Sequence, residues 1–363
     1  MPVVSHRNNT AESTAPAGPL PRRRAWARPF LRHGIGIVLA AVALAAASSP
    51  ATGAASGSQP AAVEPAPRSG PELFETPADD VWVVSTRRLP DIQRVPCQVT
   101  FDVERCAGDA ERRHWERSDL ASLLAEPTRP LVIFVHGNRY DRQSAKSQGL
   151  LLARRSAACL PDAPPARTVV FSWPSSQEGL LLRDSRAKYE RAVTEGHYLA
   201  WLLGQVPPEQ PVAIVAYSYG GLITLEALDH LVAANRSGRA DLSPWEDRAA
   251  RTHLLLVASA VRHDALAPSG EYRRVLRCID RLTLLNNTRD QALKFFRFID
   301  PALRTEALGH EQMPARWVCP EIEFTQVDAA PVVGKSHRFV DYLEAPSLAR
   351  RLACGSLEGL AVE

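Results

Sequence analysis

The sequence predicts an α/β domain over residues 80–360, with a mostly parallel central sheet and helices on both faces. Three observations predict it. Short, continuous apolar runs recur along the chain, Leu131–Val135 (LVIFV), Thr168–Phe171 (TVVF) and Val212–Ala216 (VAIVA) being the clearest. Such runs are expected of strands buried on both faces. Longer segments with helical spacing of apolar residues separate them, and strands alternating with helices imply a parallel sheet. Of the 363 residues, 45% are hydrophobic and 23% charged, which suits a globular chain with one sizeable core.

Taken in order, the first strand is Val81 onward (VWVVST), followed by a strand-like stretch, QVTFDVER, between Cys97 and Cys106. After the strand at 131–135 comes a helix from about Ser144 to Cys159, with Leu150, Leu151, Leu152 and Ala157 on its apolar side. The strand at 168–171 ends at Ser172-Trp173-Pro174, and Asp184 is read as the cap of a helix running to about Leu203. The strand at 212–216 leads into a helix from about Gly220 to Asn235. His253–Ala258, Arg281–Leu285 and Ile322–Val327 supply three further strands. The chain contains no internal repeat.

The amino-terminal part is of a different kind. Residues 1–55 read as a secretory signal sequence: Arg22 to Arg32 precede an uncharged apolar run, Ile35 to Ala47, followed by small residues and Pro50. That run is shorter than the roughly 18–20 apolar residues of a spanning helix. The alternative is an uncleaved signal that tethers the chain to a membrane through residues 34–47. No cysteine follows the run, so a lipoprotein anchor is not expected, and the residues after Arg23-Arg24 fit twin-arginine export poorly. Residues 56–79, rich in Ala and Pro, read as a flexible linker. The domain is thus expected outside the cytoplasm, periplasmic or secreted.

The positive formal charge has a local source. Residues 1–55 carry a net +5, so the rest of the chain carries −2 against a formal total of +3. No dense Lys/Arg cluster with interleaved aromatics occurs in the body, and a nucleic-acid partner is not expected. Nor is an amphipathic basic helix evident beyond the signal region. Export allows disulfides among the six cysteines. Cys97 with Cys106 closes a local loop, and Cys278 with Cys319 lies before two neighbouring strands, leaving Cys159 and Cys354 over. Free buried thiols are the alternative. None of the cysteines has metal-site spacing.

One motif carries chemistry. Ala216-Tyr217-Ser218-Tyr219-Gly220-Gly221 lies between an apolar strand and an amphipathic helix, the context of a nucleophile elbow. Residues two before and two after the serine must be small; Gly220 meets this directly and Ala216 nearly so. A serine hydroxyl needs a base to take its proton and an acid to orient that base, and in this arrangement they follow in the order acid, then histidine. Asp290 lies in the loop after the strand at 281–285. His337 lies in the loop after the last strand, and no other histidine follows it. Asp264 is the competitor for the acid, with Asp280 and Asp300 nearby. The backbone N–H groups of Tyr219 and of Asn138, in the loop His136-Gly137-Asn138, are the expected oxyanion donors. Gly137 lets that backbone approach closely, and His136 is read as structural.

FVHGN at 134–138, FSWPS at 171–175, AYSYGG at 216–221 and NNTRDQAL at 286–293 occur together and in order, with VWVVSTRR at 81–88 ahead of them. This set resembles a bacterial α/β-hydrolase family that long stood as a domain of unknown function, whose members look like serine esterases or lipases. The resemblance covers about Val81 to Tyr342. It implies Ser218 as nucleophile, Asp290 as acid and His337 as base, acting on a small-molecule or lipid-like ester through an acyl-enzyme with no cofactor or metal. The family's usual tyrosine between Gly137 and Asn138 is absent, and Ala216 replaces the first glycine of the elbow. A catalytically inactive hydrolase fold, used for binding or scaffolding at the cell envelope, is the rival reading. Segments 172–184 and 259–275 are candidates for a lid. For the export reading, amino-terminal sequencing of the mature chain is expected to start between residues 47 and 55. Recovery of the full-length chain from the cytosol counts against it.

Overall fold

Four consecutive sheet neighbours are made almost wholly of side chains that cannot face water. In the computed structural model, Leu131–Val135, Val212–Tyr217, Thr252–Val257 and Arg281–Asn286 are buried at every position. Only a layer on each face can bury both sides of such strands, and that requirement organises the rest. The structure describes residues 80–108, 112–159, 166–178, 181–246, 248–299 and 305–360. The signal sequence and linker read from residues 1–55 and 56–79 lie outside them.

Among the described residues nine strands form one sheet: β1 (Val81–Ser85), β2 (Asp102–Ala107), β3 (His114–Ser118), β4 (Leu131–Val135), β5 (Arg167–Ser172), β6 (Val212–Tyr217), β7 (Thr252–Val257), β8 (Arg281–Asn286) and β9 (Glu323–Asp328). Their order is β3-β2-β1-β5-β4-β6-β7-β8-β9. From β1 to β9 every pairing is parallel, and β2 and β3 add antiparallel strands at one edge. The helices are α1 (Leu120–Leu123), α2 (Arg142–Ala157), α3 (Leu181–Gly204), α4 (Tyr219–Arg236), α5 (Ala330–Val333), α6 (Phe339–Glu344) and α7 (Pro346–Leu357). Within the packing, α3 lies along α4, while α2, α6 and α7 form a second group. Among the described residues no helix is long and apolar enough to cross a membrane.

The strands and long helices fall where the apolar pattern puts them, with three corrections. Strand β3 (HWERS) has almost no apolar alternation, so its sequence carries little strand signal; its aromatic residue, Trp115, lies under the Lys146 ammonium, 4.3 Å from the ring centroid. Asp184 is not ahead of α3 but in its first turn, buried, with its carboxylate accepting the Glu178 N–H at 2.7 Å. The helix begins earlier because the apolar run before Asp184 already belongs to it. The third concerns the cysteines. The disulfide joins Cys159 to Cys354, and Cys97, Cys106, Cys278 and Cys319 are thiols outside it. Cys278 is buried in the core, whereas Cys319 lies against the Arg273 guanidinium at 3.4 Å. The bonded pair sits where α2 ends beside α7, the two half-cystines being 195 positions apart in the sequence.

Closing so long a loop restricts the unfolded chain strongly. Cys354→Ser is expected to lower the unfolding free energy by about 2–5 kcal/mol, read from urea denaturation. Thiol titration of the denatured, unreduced wild type should give four thiols.

Candidate active site

Between the end of β6 and the start of α4 the chain reverses within one residue. Ser218 has φ +55° and ψ −119°, in a region that non-glycine residues avoid. Holding it there costs about 1–3 kcal/mol, which the surroundings must offset. They do so through the main chain: the Ser218 N–H donates to the Val257 carbonyl at 3.0 Å, and the Ser218 carbonyl accepts from Gly221 (3.0 Å) and Ala260 (3.1 Å). A side chain on Gly220 would run into the Val135 carbonyl, so only glycine fits there. Ala216 is buried without such a conflict, paired with Val135 in β4 and Leu256 in β7.

The structure brings Ser218, His337 and Asp290 into one chain of hydrogen bonds. His337 Nε2 lies 2.9 Å from Ser218 Oγ, and His337 Nδ1 lies 2.6 Å from Asp290 Oδ2. Asp290 is fully buried while the His337 side chain is 25% exposed, so the acid is sealed and the imidazole faces the solvent side. The other carboxylate oxygen accepts the N–H groups of Ala292 (2.8 Å) and Leu293 (3.0 Å), the latter opening a 3-10 turn over Leu293–Phe298. These bonds fix the carboxylate plane and leave Oδ2 aimed at the imidazole.

The competing acids are engaged elsewhere. Asp264 forms a bidentate pair with Arg262 at 2.9 and 2.8 Å, and the guanidinium holds its carboxyl below the ordinary range. Asp280 accepts the Thr252 N–H at 2.7 Å. Asp300 lies outside the described residues.

Two residues that sequence reasoning missed position the histidine. The Tyr217 hydroxyl donates to the His337 carbonyl, and its ring lies 5.3 Å from the imidazole. Burial holds that hydroxyl well above its ordinary pKa, so it stays a donor. The Asn287 amide donates to the Ser336 carbonyl at 2.8 Å, tying the acid's loop to the base's loop. Asn287 lies in the NNTRD segment, and that position was its only signal. Tyr217 had none, since its partner lies 120 residues away.

The expected oxyanion loop is built around a buried histidine. His136 is fully buried and stacks between Tyr140 and Trp173, with ring centroids at 4.9 and 5.8 Å. Its Nδ1 faces the Gly137 carbonyl at 2.9 Å, which can only accept, and its Nε2 faces the Trp173 N–H at 3.3 Å, which can only donate. Those partners require the neutral ring protonated on Nδ1. Burial, and secondarily the Arg87 charge, push its pKa down to about 3, which keeps the ring neutral. In a trans peptide the carbonyl and the next N–H point opposite ways. Holding the Gly137 carbonyl on the imidazole therefore turns the Asn138 N–H away from it. A Cβ on Gly137 would lie 2.8 Å from Ser218 Cβ, so this peptide runs alongside the serine. Tyr219 is the first residue of α4.

The FSWPS segment clamps the same loop. Trp173 Nε1 donates to the His136 carbonyl (2.8 Å), and the Ser175 carbonyl accepts from the Arg139 N–H (2.7 Å). Arg87, from the opening strand's end, binds Ser172 Oγ and the Tyr140 carbonyl, both at 2.9 Å. The described parts of the two lid candidates thus include supports of the site: Trp173 and Ser175 in one, Ala260 in the other.

A serine on a strand–helix elbow, hydrogen-bonded through histidine to a buried aspartate at the carboxyl edge of this sheet, defines an α/β-hydrolase fold. The chain belongs to the family of alpha/beta hydrolases of unknown function (DUF900), which it matches over residues 112–353. No curated protein matches it. Among solved structures it is similar to an inhibited esterase B from Lactobacillus rhamnosis, at 14% identity and a TM-score of 0.35, covering 76% of this chain and 85% of that one. It is also similar to acyl-protein thioesterase 2 from Zea mays, at 12% identity and a TM-score of 0.30, covering 63% and 94%.

The buried neutral His136 has a consequence for acid stability. Its folded-state pKa of about 3 lies below the ordinary 6.5, so the unfolded chain takes up a proton that the folded chain refuses. Its contribution to stability is complete above pH 6.5 and is lost as pH falls toward 3. In histidine NMR spectra His136 should show no titration near neutrality. A midpoint near 6.5 for this ring would contradict the neutral, doubly bonded geometry.

Proposed function

We propose that the protein is a serine hydrolase that cleaves carboxylic esters through an acyl-enzyme. The observation that carries the reading is the continuous Ser218–His337–Asp290 hydrogen-bond chain, with the serine on a strained elbow and the acid fully buried. His337 Nε2 takes the Ser218 proton as Oγ attacks the substrate carbonyl. Asp290 holds the imidazole in the Nδ1–H form and stabilises the imidazolium that results. The developing oxyanion is met by the N–H groups of Tyr219, at the start of α4, and of Asn138, whose N–H is turned away from the His136 ring. Collapse of the tetrahedral intermediate breaks the ester C–O bond, and His337 returns its proton to the leaving alcohol. Water, deprotonated by the same imidazole, then releases the acid and restores Ser218.

The reading includes export, as periplasmic or secreted protein. Its supports are the basic, then apolar start of the chain and the Cys159–Cys354 disulfide, a bond that persists in oxidising compartments.

A fluorophosphonate probe is expected to label the wild type and not Ser218→Ala; a folded wild type that stays unlabelled would sink the proposal. Turnover of p-nitrophenyl esters should fall on the order of 10³–10⁴-fold in Asp290→Asn and stay near wild type in Asp264→Asn. The reverse pattern would move the acid to the other loop.

A further inference from the structure

We propose that the rim of the site is a docking surface for an anionic lipid bilayer. Among the described residues three large apolar side chains are exposed, Phe295 (46%), Phe298 (46%) and Val332 (51%), and all three lie in the loops that carry the acid and the base. A 3-10 turn eclipses residues three apart. Its period buries Leu293 and Phe296 and turns Phe295 and Phe298 outward together, their ring centroids 6.1 Å apart.

The turn is held in that orientation. Asp290 caps its start, Phe296 packs near Tyr189, and the Phe298 carbonyl accepts from the Arg186 guanidinium at 3.0 Å. Val332 belongs to α5, in the loop joined to the first one at Asn287–Ser336 and Asp290–His337. These side chains stand on the outside of fixed turns, which suits insertion into an interface better than enclosure of one molecule.

Charge selects the interface. Arg139, Arg289, Lys294, Arg297, Lys335 and Arg338 are all exposed in the three loops 136–140, 287–299 and 329–338. Within those segments Asp290, buried on His337, is acidic, and two more acids flank them: Asp141 ends the first loop on the Ser144 N–H (2.7 Å), and Asp328 precedes the third on the Thr288 N–H (3.2 Å). Neighbouring acids temper three of the cations: Glu306 lies 3.5 Å from Arg297, Asp341 lies 3.9 Å from Arg338, and Arg289 interacts with the Asp328 carboxylate. The loops follow β4, β8 and β9, which run parallel, so all three open on one edge of the sheet. Exposed aromatics on the same sheet edge as exposed Lys and Arg, with Arg297 over the Phe298 ring at 5.3 Å, match a surface with acyl chains beneath anionic headgroups. No basic amphipathic helix is involved, which is why sequence periodicity gives no sign of it. The inference stands apart from the ester reading, because docking needs none of the catalytic groups.

Hydrogen exchange on the full-length chain tests it, alone, with phosphatidylcholine vesicles, and with vesicles containing phosphatidylglycerol. Peptides covering 291–299 and 330–338 should gain protection with the anionic vesicles only, less so as salt rises. Lys294→Ala and Lys335→Ala should each weaken the apparent vesicle affinity about fivefold. Phe295→Ser with Phe298→Ser should weaken it at least about tenfold, with an unchanged thermal transition. Binding through residues 34–47 alone would leave both peptides unprotected on bound vesicles and would overturn the proposal. So would equal protection on neutral vesicles, protection without vesicles (the face covered by this chain or a second copy), or wild-type affinity in the folded Phe295/Phe298 variant.

Discussion

At the carboxyl edge of the sheet two stretches of backbone pass with no space for a side chain between them. The end of β4, from Val135 to Gly137, lies against the turn that holds Ser218, and the contact tolerates only glycine at 137 and 220. The approach presents the serine at the carboxyl edge in its strained conformation. It also brings Gly137 against the Cβ of Ser218. One steric constraint thus serves both the serine turn and the His136–Asn138 loop, and the sheet register Val135↔Ala216 enforces it.

Around that contact, the separated sequence motifs act as supports for one another. The arginine after β1 binds the last residue of β5 and the Tyr140 carbonyl after β4, and the Trp and Ser after β5 bind His136 and Arg139 in that same loop, across three neighbouring strands. In the second half of the domain the Asn and Asp after β8 bind the Ser and His after β9. Their co-occurrence along the chain has a geometric reason, since each loop lacks partners without the others. Burial adds to this: a neutral His136 needs both the Trp173 N–H and the Gly137 carbonyl to avoid unsatisfied polar atoms.

Much of the fold was legible because the central strands are continuous apolar runs and the order elbow, acid, base is tied to strand ends. What escaped was whatever depends on contacts between distant segments. Cys159 and Cys354 meet because α2 and α7 pack side by side, a fact that spacing along the chain does not encode. Strand β3 joins through backbone pairing with β2, and its side chains need not alternate. The roles of Tyr217 and His136 were hidden for a different reason. Their neighbours on the chain marked the motif, but only the fold supplies the carbonyls they bind.

The two groups of loops, one around Ser218 and one around His337, meet chiefly through aromatic packing. Phe339, which opens α6 directly after the His337 loop, stacks on Phe134 of β4 at 4.7 Å and lies 5.2 Å from Tyr217. Fully burying a phenylalanine is worth about 1.5–3 kcal/mol, against a net 0.5–1.5 kcal/mol for an ordinary hydrogen bond. The Phe134–Tyr217–Phe339 cluster therefore contributes to holding the His337 loop on a scale comparable to the hydrogen bonds at Tyr217, Asn287 and Asp290. The Tyr217 hydroxyl then fixes its rotation by holding the His337 carbonyl. The 2.9 Å between Ser218 and His337 thus has support from the core as well as from the hydrogen bonds around His337.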